Sequence, residues 1–174
     1  MSSDEVTGAI RLEDPRTHEE SPMHPSSPYA ASKAGAELLA LSYRRTYGMD
    51  VRVVRSTNLY GCAQHPEKYL PRAITYGLLG RPIKVFGNGE NRRSWLSVHD
   101  LSDGFDLVIN KGRPGEVYSF GGVEHSNINL ATAIAEKLNV KVEMIGDRPG
   151  HDFRYSQDTS KVEALGWKRE CSLI

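Results

Sequence analysis

Short β-branched segments alternate with longer helical segments along this 174-residue chain, an order that few folds accommodate. Strands are predicted where runs rich in Val, Ile, Tyr and Phe stand between turn residues. These runs are residues 51–55, 83–86, 117–120 and 140–145. Helices are predicted where apolar residues recur at helical spacing, at residues 29–47, 71–79, 99–110, 127–138 and 160–165. This alternation indicates an α/β domain.

The first predicted helix has a clear start and a clear end. Ser27 is a typical N-cap, Pro28 suits the first helical position, and Gly48 suits the position after the last turn. On a helical wheel, one face carries Ala30, Ala34, Leu38 and Leu41. A second face carries Ala36, Ala40, Tyr43 and Tyr47, together with Tyr29 and Lys33. A helix that is apolar on two faces is expected to be covered on both, by its own sheet and by a partner.

Composition excludes several classes of function. The chain has 22 Lys and Arg against 22 Asp and Glu, so it lacks the basic excess that favours binding to nucleic acid or to an anionic membrane. No apolar run approaches the roughly 20 residues that span a bilayer, and the N-terminus does not resemble a secretory signal. Cys62 and Cys171 stand alone, without the spacing of a metal site or a disulfide framework. We therefore expect a cytoplasmic protein with reduced thiols and no metal site.

The chain is expected to be part of a larger fold. Only about two of the predicted strands suit a central parallel sheet, and no strand is predicted before Ser2, whereas such a sheet needs neighbours on both sides. No glycine-rich dinucleotide fingerprint occurs in the sequence. Gly87 and Gly89 begin such a pattern, but Arg92 occupies the third glycine position.

A tyrosine and a lysine lie one helical turn apart near the start of the first helix. Tyr29 and Lys33 have i, i+4 spacing, which places them on one face. An ammonium near a phenol favours the phenolate, which can act as a base. By spacing alone, such a pair is more often an ordinary surface pair.

Ser3, Asp4 and Glu5 set a hydroxyl beside two adjacent carboxyl groups. Two acids in different surroundings can divide the roles of acid and base. Without further context, an acidic cluster near a terminus is more often a solvated loop.

Other polar groups suit an anionic ligand. Asn58 follows a predicted strand, where the crevices of parallel α/β sheets form. Arg93 and Arg148 carry forked guanidinium groups that match phosphate oxygens, and His151 lies close to Arg148 in sequence. Each of these groups alone is more often a turn or a solvated charge.

Taken in order, these motifs resemble those of the extended short-chain dehydrogenase/reductase family, the NAD-dependent epimerases and dehydratases. Ser-Ser-Asp-Glu-Val-Thr-Gly at residues 2–8 is similar to the family's Ser-Thr-Asp-Glu-Val-Tyr-Gly, and residues 27–33 match its Tyr-x-x-x-Lys helix. Further matching segments are residues 58–61, 66–71, 93–100 and 147–152. The adjacent Asp4 and Glu5 favour the 4,6-dehydratases, because related epimerases usually have another residue in place of this aspartate.

The resemblance implies a fold and a reaction. The fold would be the C-terminal part of a Rossmann-type parallel sheet plus a small α/β substrate-binding domain, without the N-terminal dinucleotide-binding half. Residues 1–60 would be the remnant of the Rossmann core, and residues 61–174 mainly the sugar-nucleotide-binding region with a further sheet strand near 117–120. The reaction would be that of a nucleotide-sugar 4,6-dehydratase of the dTDP-glucose type, a lyase that uses NAD, and the chain would be a fragment that is inactive alone.

The resemblance also assigns roles to residues. Tyr29 would take the proton of the sugar's 4-hydroxyl, Lys33 would assist it and hold the nicotinamide ribose, and Ser3 would bind the 4-oxygen. Glu5 would remove the C5 proton, and Asp4 would protonate the departing 6-hydroxyl. The substrate-binding residues implied are Asn58, Lys68, Val85, Phe86, Arg93 and His151.

Several departures from the family pattern, and two other functions, stay open. Ser3 replaces threonine, Thr7 replaces tyrosine and Cys62 replaces proline. Ser119 replaces asparagine, which puts one phosphate contact in doubt.

The partners implied are a nucleoside diphosphate sugar, a second copy joined through helix 29–47 at its Ala30–Leu41 face, and a separate NAD-binding chain. The alternatives are a non-catalytic sugar-nucleotide-binding module and a partner subunit of a full-length homologue.

Overall fold

A computed structural model describes residues 1–173. The strands are β1 (Ser2–Ser3), β2 (Val53–Ser56), β3 (Asn58–Tyr60), β4 (Ile83–Phe86), β5 (Arg92–Ser97), β6 (Val117–Phe120), β7 (Val123–Ser126) and β8 (Val142–Ile145). The helices are α1 (Pro28–Tyr47), α2 (Tyr69–Leu78), α3 (Val98–Lys111), α4 (Asn127–Leu138) and α5 (Ser160–Glu163). A 3-10 turn at Asp4–Thr7 follows β1. The predicted α/β class is therefore confirmed.

Three small sheets organise the chain. The first is parallel, in the order β1-β2-β6, and Arg55 of β2 lies opposite both Ser2 and Ser119. The second has the order β3-β5-β7, with β5 parallel to β3 and antiparallel to β7. The third is the parallel pair of β4 and β8. Because β1 and β2 are parallel, Ser3 and Ser56 end at the same sheet edge, where Asp4 and Asn58 follow them.

Two main apolar cores, and a third cluster of Leu70, Trp95 and Leu130, hold these layers together. The larger core packs α3 and the C-terminal segment against β2 and β6, and Phe120 meets Trp167 edge to face at 5.1 Å between ring centroids. Gly104 of α3 lies so close to this core that an added Cβ would stand 2.1 Å from a ring carbon of Phe120. The smaller core lies between α2, α4 and β4, and it consists of Ala73, Ile83, Val85, Ala131 and Ala135.

Helix α1 has the predicted ends, but its buried face differs from the expectation. The Ser27 hydroxyl accepts a hydrogen bond from the Ala30 amide, and Gly48 adopts the left-handed conformation that ends the helix. Ala30 and Ala34 are 0% and 6% exposed, because they pack within this chain. The expectation that they form part of the dimer face is therefore wrong. Leu38, from the same wheel face, is 58% exposed.

A buried ion pair joins α1 to the first sheet. Arg55 Nη2 lies 2.6 Å from Glu37 Oε1, and both side chains are almost completely buried. Arg55 also donates to the main-chain carbonyls of His18 and Glu19. The pair thus connects the helix, the central strand β2 and the segment that precedes α1.

The segment before α1 is held by residues near the C-terminus. Ile10 forms a β-bridge with Arg154, and the amide of Thr17 donates to the carbonyl of Ser156. Arg154 donates to the carbonyls of Arg11, Leu12 and Asp14, and its Nε lies 2.8 Å from Glu124. No helix among residues 1–173 is long and apolar enough to cross a membrane.

Candidate active site

Two adjoining cavities at the edge of the sheets collect most of the predicted site residues. The first, about 620 Å³, is lined by Ser3, Asp4, Glu5, Tyr29 and Lys33. The second, about 380 Å³, is lined by residues of the phosphate motifs, among them Phe86, Arg93, Arg148 and His151. Both cavities share Asn58, Lys68, Tyr69 and Trp95 as walls, so they form one continuous cleft.

The end of β1 positions the serine and the two acids. Ser3 caps the 3-10 turn, because its hydroxyl accepts a hydrogen bond from the Glu5 amide at 3.3 Å and donates to Asp4 Oδ1 at 3.2 Å. Thr7 closes the turn by donating to the Asp4 carbonyl at 2.9 Å. The turn therefore presents a hydroxyl and two carboxyl groups to the same cavity.

The two acids have different environments. Burial, reinforced by the neighbouring charge of Glu5, raises the pKa of Asp4 from 3.8 to about 7. Burial also raises the pKa of Glu5, although the positive charge of Arg93 opposes the rise. Asp4 is 4% exposed, whereas Glu5 is only partly buried. Near neutral pH, Asp4 can thus hold a proton to donate, a role that suits a general acid.

The first turns of α1 bring the phenol and the ammonium to the cavity. Tyr29 is 55% exposed and lies in the cavity wall together with Lys33, one turn further along. The ammonium of Lys33 donates to the main-chain carbonyl of Met1 at 2.8 Å. This bond ties the helix to the start of β1, beside Ser3 and Asp4.

Several buried polar atoms in the cleft walls lack a protein partner. Among the described residues, Ser2 Oγ, Asp4 Oδ2, Thr57 Oγ1 and Trp95 Nε1 make no hydrogen bond. All four residues line the first cavity. Buried polar groups in native structures are nearly always satisfied, so these four atoms need a water or a polar ligand in the cleft as a partner.

Cations concentrate in the second cavity. Arg93 is mostly buried, and it donates to the carbonyls of Arg92, Asp152 and Phe153 at 2.7, 2.9 and 3.2 Å. Burial lowers its pKa, which an arginine tolerates while remaining charged. Arg148 lies in the same wall. The cavity can therefore take an anion.

His151 and Phe86 complete the wall of the second cavity. His151 Nδ1 lies 2.7 Å from Asp147 Oδ1, which fixes the imidazole, and this hydrogen bond lowers the pKa of Asp147. Phe86 meets the His151 ring edge to face, with centroids 6.3 Å apart. An aromatic surface next to the guanidinium groups of Arg93 and Arg148 suits a ligand with both a planar and an anionic part.

Val85 does not reach the cleft. Successive side chains of a strand alternate, so Val85 points with Ile83 into the smaller core, where it is 0% exposed. Phe86 points to the other side and lines the cavity. The expectation of a ligand contact from Val85 needs this correction.

The structure adds wall residues that had no assigned role. Tyr69, Trp95 and Asn127 line the second cavity, and burial raises the pKa of Tyr69 to about 12. Arg148 stood out in the sequence as a cation but was not among the expected contacts. Asn127 carried no sequence signal, and Tyr69 was only part of the matching segment 66–71, because the packing of α2 against α4 brings the two together. Ser119, where the family has asparagine, is fully buried in β6 and lines neither cavity.

Comparisons with known proteins identify the family of this chain. The family described as GDP-mannose 4,6 dehydratase matches residues 1–174. The chain is 41% identical, over 97% of its length, to a dTDP-glucose 4,6-dehydratase from Haemophilus influenzae and covers 54% of it. It is 47% identical, over 93% of its length, to a dTDP-glucose 4,6-dehydratase from Streptomyces niveus and covers 49% of it.

A solved structure shows the same likeness in three dimensions. The dTDP-glucose 4,6-dehydratase DesIV from Streptomyces venezuelae, crystallised with NAD bound, has a TM-score of 0.94 and 44% sequence identity. The alignment covers 99% of this chain and 54% of that chain. The chain thus spans about half the length of the relatives it matches.

Proposed function

Because the chain belongs to the GDP-mannose 4,6-dehydratase family of the extended short-chain dehydrogenase/reductases, we propose that it supplies the acid–base groups and the sugar-nucleotide pocket of a nucleotide-sugar 4,6-dehydratase. Its substrate class is a nucleoside diphosphate hexose of the dTDP-glucose type, as the names of the relatives suggest. In this proposal residues 1–60 hold the catalytic groups, and residues 61–174 supply most of the contacts to the nucleotide.

One observation carries the proposal. A buried acid with a pKa of about 7, a second acid, a phenol and an ammonium line one cavity. That cavity continues into one lined by Arg93, Arg148 and His151. A 4,6-dehydratase needs this combination, because its substrate carries the reacting sugar and the diphosphate in one molecule.

Tyr29, Lys33 and Ser3 act on the sugar's C4. The Tyr29 oxygen accepts the proton of the 4-hydroxyl while C4 is oxidised to a ketone. Lys33 places a positive charge one helical turn away, and the Ser3 hydroxyl donates to the 4-oxygen. When bound, NAD would take up the hydride from C4 and later return it to C6.

Glu5 and Asp4 then remove water. Glu5, which is more exposed than Asp4, takes the proton from C5, whose acidity the adjacent ketone raises. Asp4 donates its proton to the 6-hydroxyl, which leaves as water, so a double bond forms between C5 and C6. When this double bond is reduced at C6, Glu5 returns its proton to C5. The raised pKa of Asp4 keeps this proton in place at neutral pH.

The cleft fits the nicotinamide end of NAD but not its pyrophosphate. Tyr29 and Lys33 would hold the nicotinamide ribose, and the unpartnered hydroxyls of Ser2 and Thr57 are free to bind polar atoms there. No helix among residues 1–173 begins at a glycine-rich loop, because the N-caps are Ser27, Lys68, Ser97, Ser126 and Thr159.

The helix α1 is the expected contact surface for a partner. Leu38, Leu39, Tyr43 and Tyr47 are between 45% and 71% exposed along it. The proposed occupant is a second copy of this chain, and a separate NAD-binding chain is the other partner considered.

We place the protein in the cytoplasm, in keeping with its two free cysteines.

The test of the pocket is calorimetric titration with dTDP. Arg93→Ala should weaken binding roughly tenfold to hundredfold, because a charge-assisted hydrogen bond contributes about 1.5–3 kcal/mol. Arg45→Ala, at the exposed end of α1, is the matched control and should leave affinity unchanged. Equal affinity of the wild type and Arg93→Ala would move the phosphate site elsewhere. Tight dTDP binding without turnover in a complete assay would favour the non-catalytic binding module.

A further inference from the structure

Asp152 links the segment before α1 to the segment that borders the second cavity. Its Oδ2 accepts hydrogen bonds from the hydroxyl of Ser26 and from the hydroxyl of Tyr155. Ser26 directly precedes Ser27, the N-cap of α1, and so lies three residues before Tyr29. Tyr155 is 5% exposed, in the segment that borders the second cavity. One carboxylate therefore holds both the start of the catalytic helix and a buried phenol.

The ring of Tyr155 also supports Arg93. The guanidinium carbon of Arg93 lies 4.8 Å from the ring centroid, within the range of a cation–π contact. On its other side, Arg93 Nη2 donates to the carbonyl of Asp152 at 2.9 Å. The guanidinium is thus fixed by the ring of Tyr155 and by three main-chain carbonyls, one of which belongs to Asp152, the residue that also holds the Tyr155 hydroxyl.

The Tyr155 hydroxyl is a stable donor in this arrangement. Burial raises its pKa, and the hydrogen bond to Asp152 raises it further. The phenol therefore stays protonated throughout the neutral range and can donate to Asp152.

We propose that Tyr155 is a positioning residue for Arg93, and that Asp152 couples occupancy of the diphosphate site to the ordering of the first turn of α1. The chain of contacts runs from Arg93 through Tyr155 and Asp152 to Ser26. A diphosphate on Arg93 restrains the guanidinium, which restrains Tyr155 and Asp152 and so the helix start that carries Tyr29. This coupling is reciprocal, since ordering the helix start must also favour the ligand. The inference rests on the proposed function for the identity of the ligand.

Two substitutions at Tyr155 separate the two roles of this residue. Tyr155→Phe keeps the ring beneath Arg93 but removes the hydroxyl, so dTDP affinity should stay within about twofold of the wild type. Tyr155→Leu removes the ring as well, and affinity should fall roughly threefold to thirtyfold. If Tyr155→Phe loses as much affinity as Tyr155→Leu, the ring is not the support of Arg93 and the proposal fails.

The second measurement is hydrogen exchange of the peptide that covers the first turns of α1. In the wild type, dTDP should slow this exchange. In Ser26→Ala and in Tyr155→Phe that protection should be lost although dTDP still binds. Ser42→Ala is the control, because its hydroxyl bonds only within α1, to Leu39. Equal protection in Ser26→Ala and the wild type would overturn the coupling.

Failure of the proposed function gives a different result. A wild-type chain that does not bind dTDP contradicts the proposed pocket. The series of contacts from Arg93 to Ser26 is then tested by hydrogen exchange without ligand. Ser26→Ala and Tyr155→Phe should both accelerate exchange at the start of α1. Unchanged exchange in both variants would overturn the chain of contacts itself.

Discussion

Asp4 combines almost complete burial with a carboxyl oxygen that has no partner among the described residues. Both features make its ionised form costly, and the adjacent Glu5 adds repulsion. In an unfolded chain the same carboxyl group ionises near its ordinary value. The folded protein therefore holds a proton on Asp4 that the unfolded protein releases at lower pH.

This difference predicts how stability depends on pH. The pKa of Asp4 is about 7 in the folded protein and 3.8 in the unfolded chain. The contribution of Asp4 to the free energy of unfolding is therefore most favourable below pH 3.8 and is lost as the pH rises to about 7. Asp4→Asn removes the titration, so the variant should gain stability over the wild type at pH 8, by an amount on the order of a few kcal/mol. At pH 4 the two should differ little.

Thermal unfolding at both pH values measures this effect. Asp14→Asn, at a partly exposed carboxyl group on the loop before α1, is the control and should not reproduce the pH-dependent gain. A wild type as stable as Asp4→Asn at pH 8 would show that Asp4 titrates normally.

At the scale of single residues, the sequence predicted which residues line the cavity better than it predicted how deeply they are buried. The pairing of Tyr29 with Lys33 and of Asp4 with Glu5 follows from local spacing, and all four line one cavity. The burial of Asp4 depends on the turn at Thr7 and on distant segments that cover it. Local spacing contains no information about that cover, so the raised pKa of Asp4 could not be predicted.

At the scale of elements, α1 is tied to the first sheet by the ion pair of Glu37 and Arg55. A buried ion pair contributes little net stability when intact, but removing one partner leaves the other charge without compensation. Glu37→Gln should therefore lower the free energy of unfolding by about 3 kcal/mol, the lower end of the usual range, because carbonyl acceptors remain around Arg55.

Urea unfolding of Glu37→Gln, with a surface pair as control, checks this value. Asp50 lies 2.5 Å from Arg52 but is 66% exposed, so Asp50→Asn should change the free energy of unfolding by less than about 1 kcal/mol. Similar losses in both variants would mean that burial of the Glu37 pair has no special effect.

The exposed side of α1 makes a second prediction at this scale. Leu39 and Tyr43 are 60% and 45% exposed, and a partner that covers them would remove apolar surface from water. If a second copy binds here, Leu39→Glu with Tyr43→Glu should convert a dimer to a monomer in light scattering. Ala36 is also exposed and lies two turns before Tyr43 on this side, so Ala36→Glu alone should weaken the dimer. A monomeric wild type would contradict the proposed contact.

Helices were easier to predict than strands, for a physical reason. A helix is stabilised by its own hydrogen bonds and caps, so Ser27 and Gly48 mark α1, and residues 127–138 coincide with α4. Strands β4 and β6 were found at their observed bounds because they are apolar. Strand β5 was not predicted, because it begins Arg92-Arg93-Ser94, and Arg93 and Ser94 are buried only through partners elsewhere in the chain. Strands β1 and β3 are too short for a periodic signal.

At the scale of the whole molecule, the proposed acid–base groups line one cavity, but no site for the pyrophosphate of NAD is found among residues 1–173. The 174-residue polypeptide, mixed with dTDP-glucose and NAD, should therefore show no turnover, since no glycine-rich loop places the cofactor. The assay follows the 4-keto product by its absorbance in alkali. Turnover by this polypeptide alone would reveal another cofactor site.

Adding a dinucleotide-binding domain from a relative tests whether the assembled groups work. Turnover in the mixture should then depend on Tyr29, and Tyr29→Phe should lower the rate by about 10²–10⁴, as loss of a positioned base does. Tyr76→Phe, which changes a phenol outside the first cavity, is the matched control. Equal rates in all three mixtures would assign the base to another residue.

The hydrogen bonds between residues 10–17 and 154–158 determine how late in synthesis the cleft can form. Arg154 and Asp14 are 140 positions apart, so the ribosome needs roughly 7–28 s between making one and making the other. Throughout that interval the segment that holds the loop beside Ser3, Asp4 and Glu5 in place has not been made. Ser3, Asp4 and Glu5 therefore belong to a site that is completed only when residues 154–158 have been made, and a nascent chain stalled before Asp152 is expected to lack an assembled cleft.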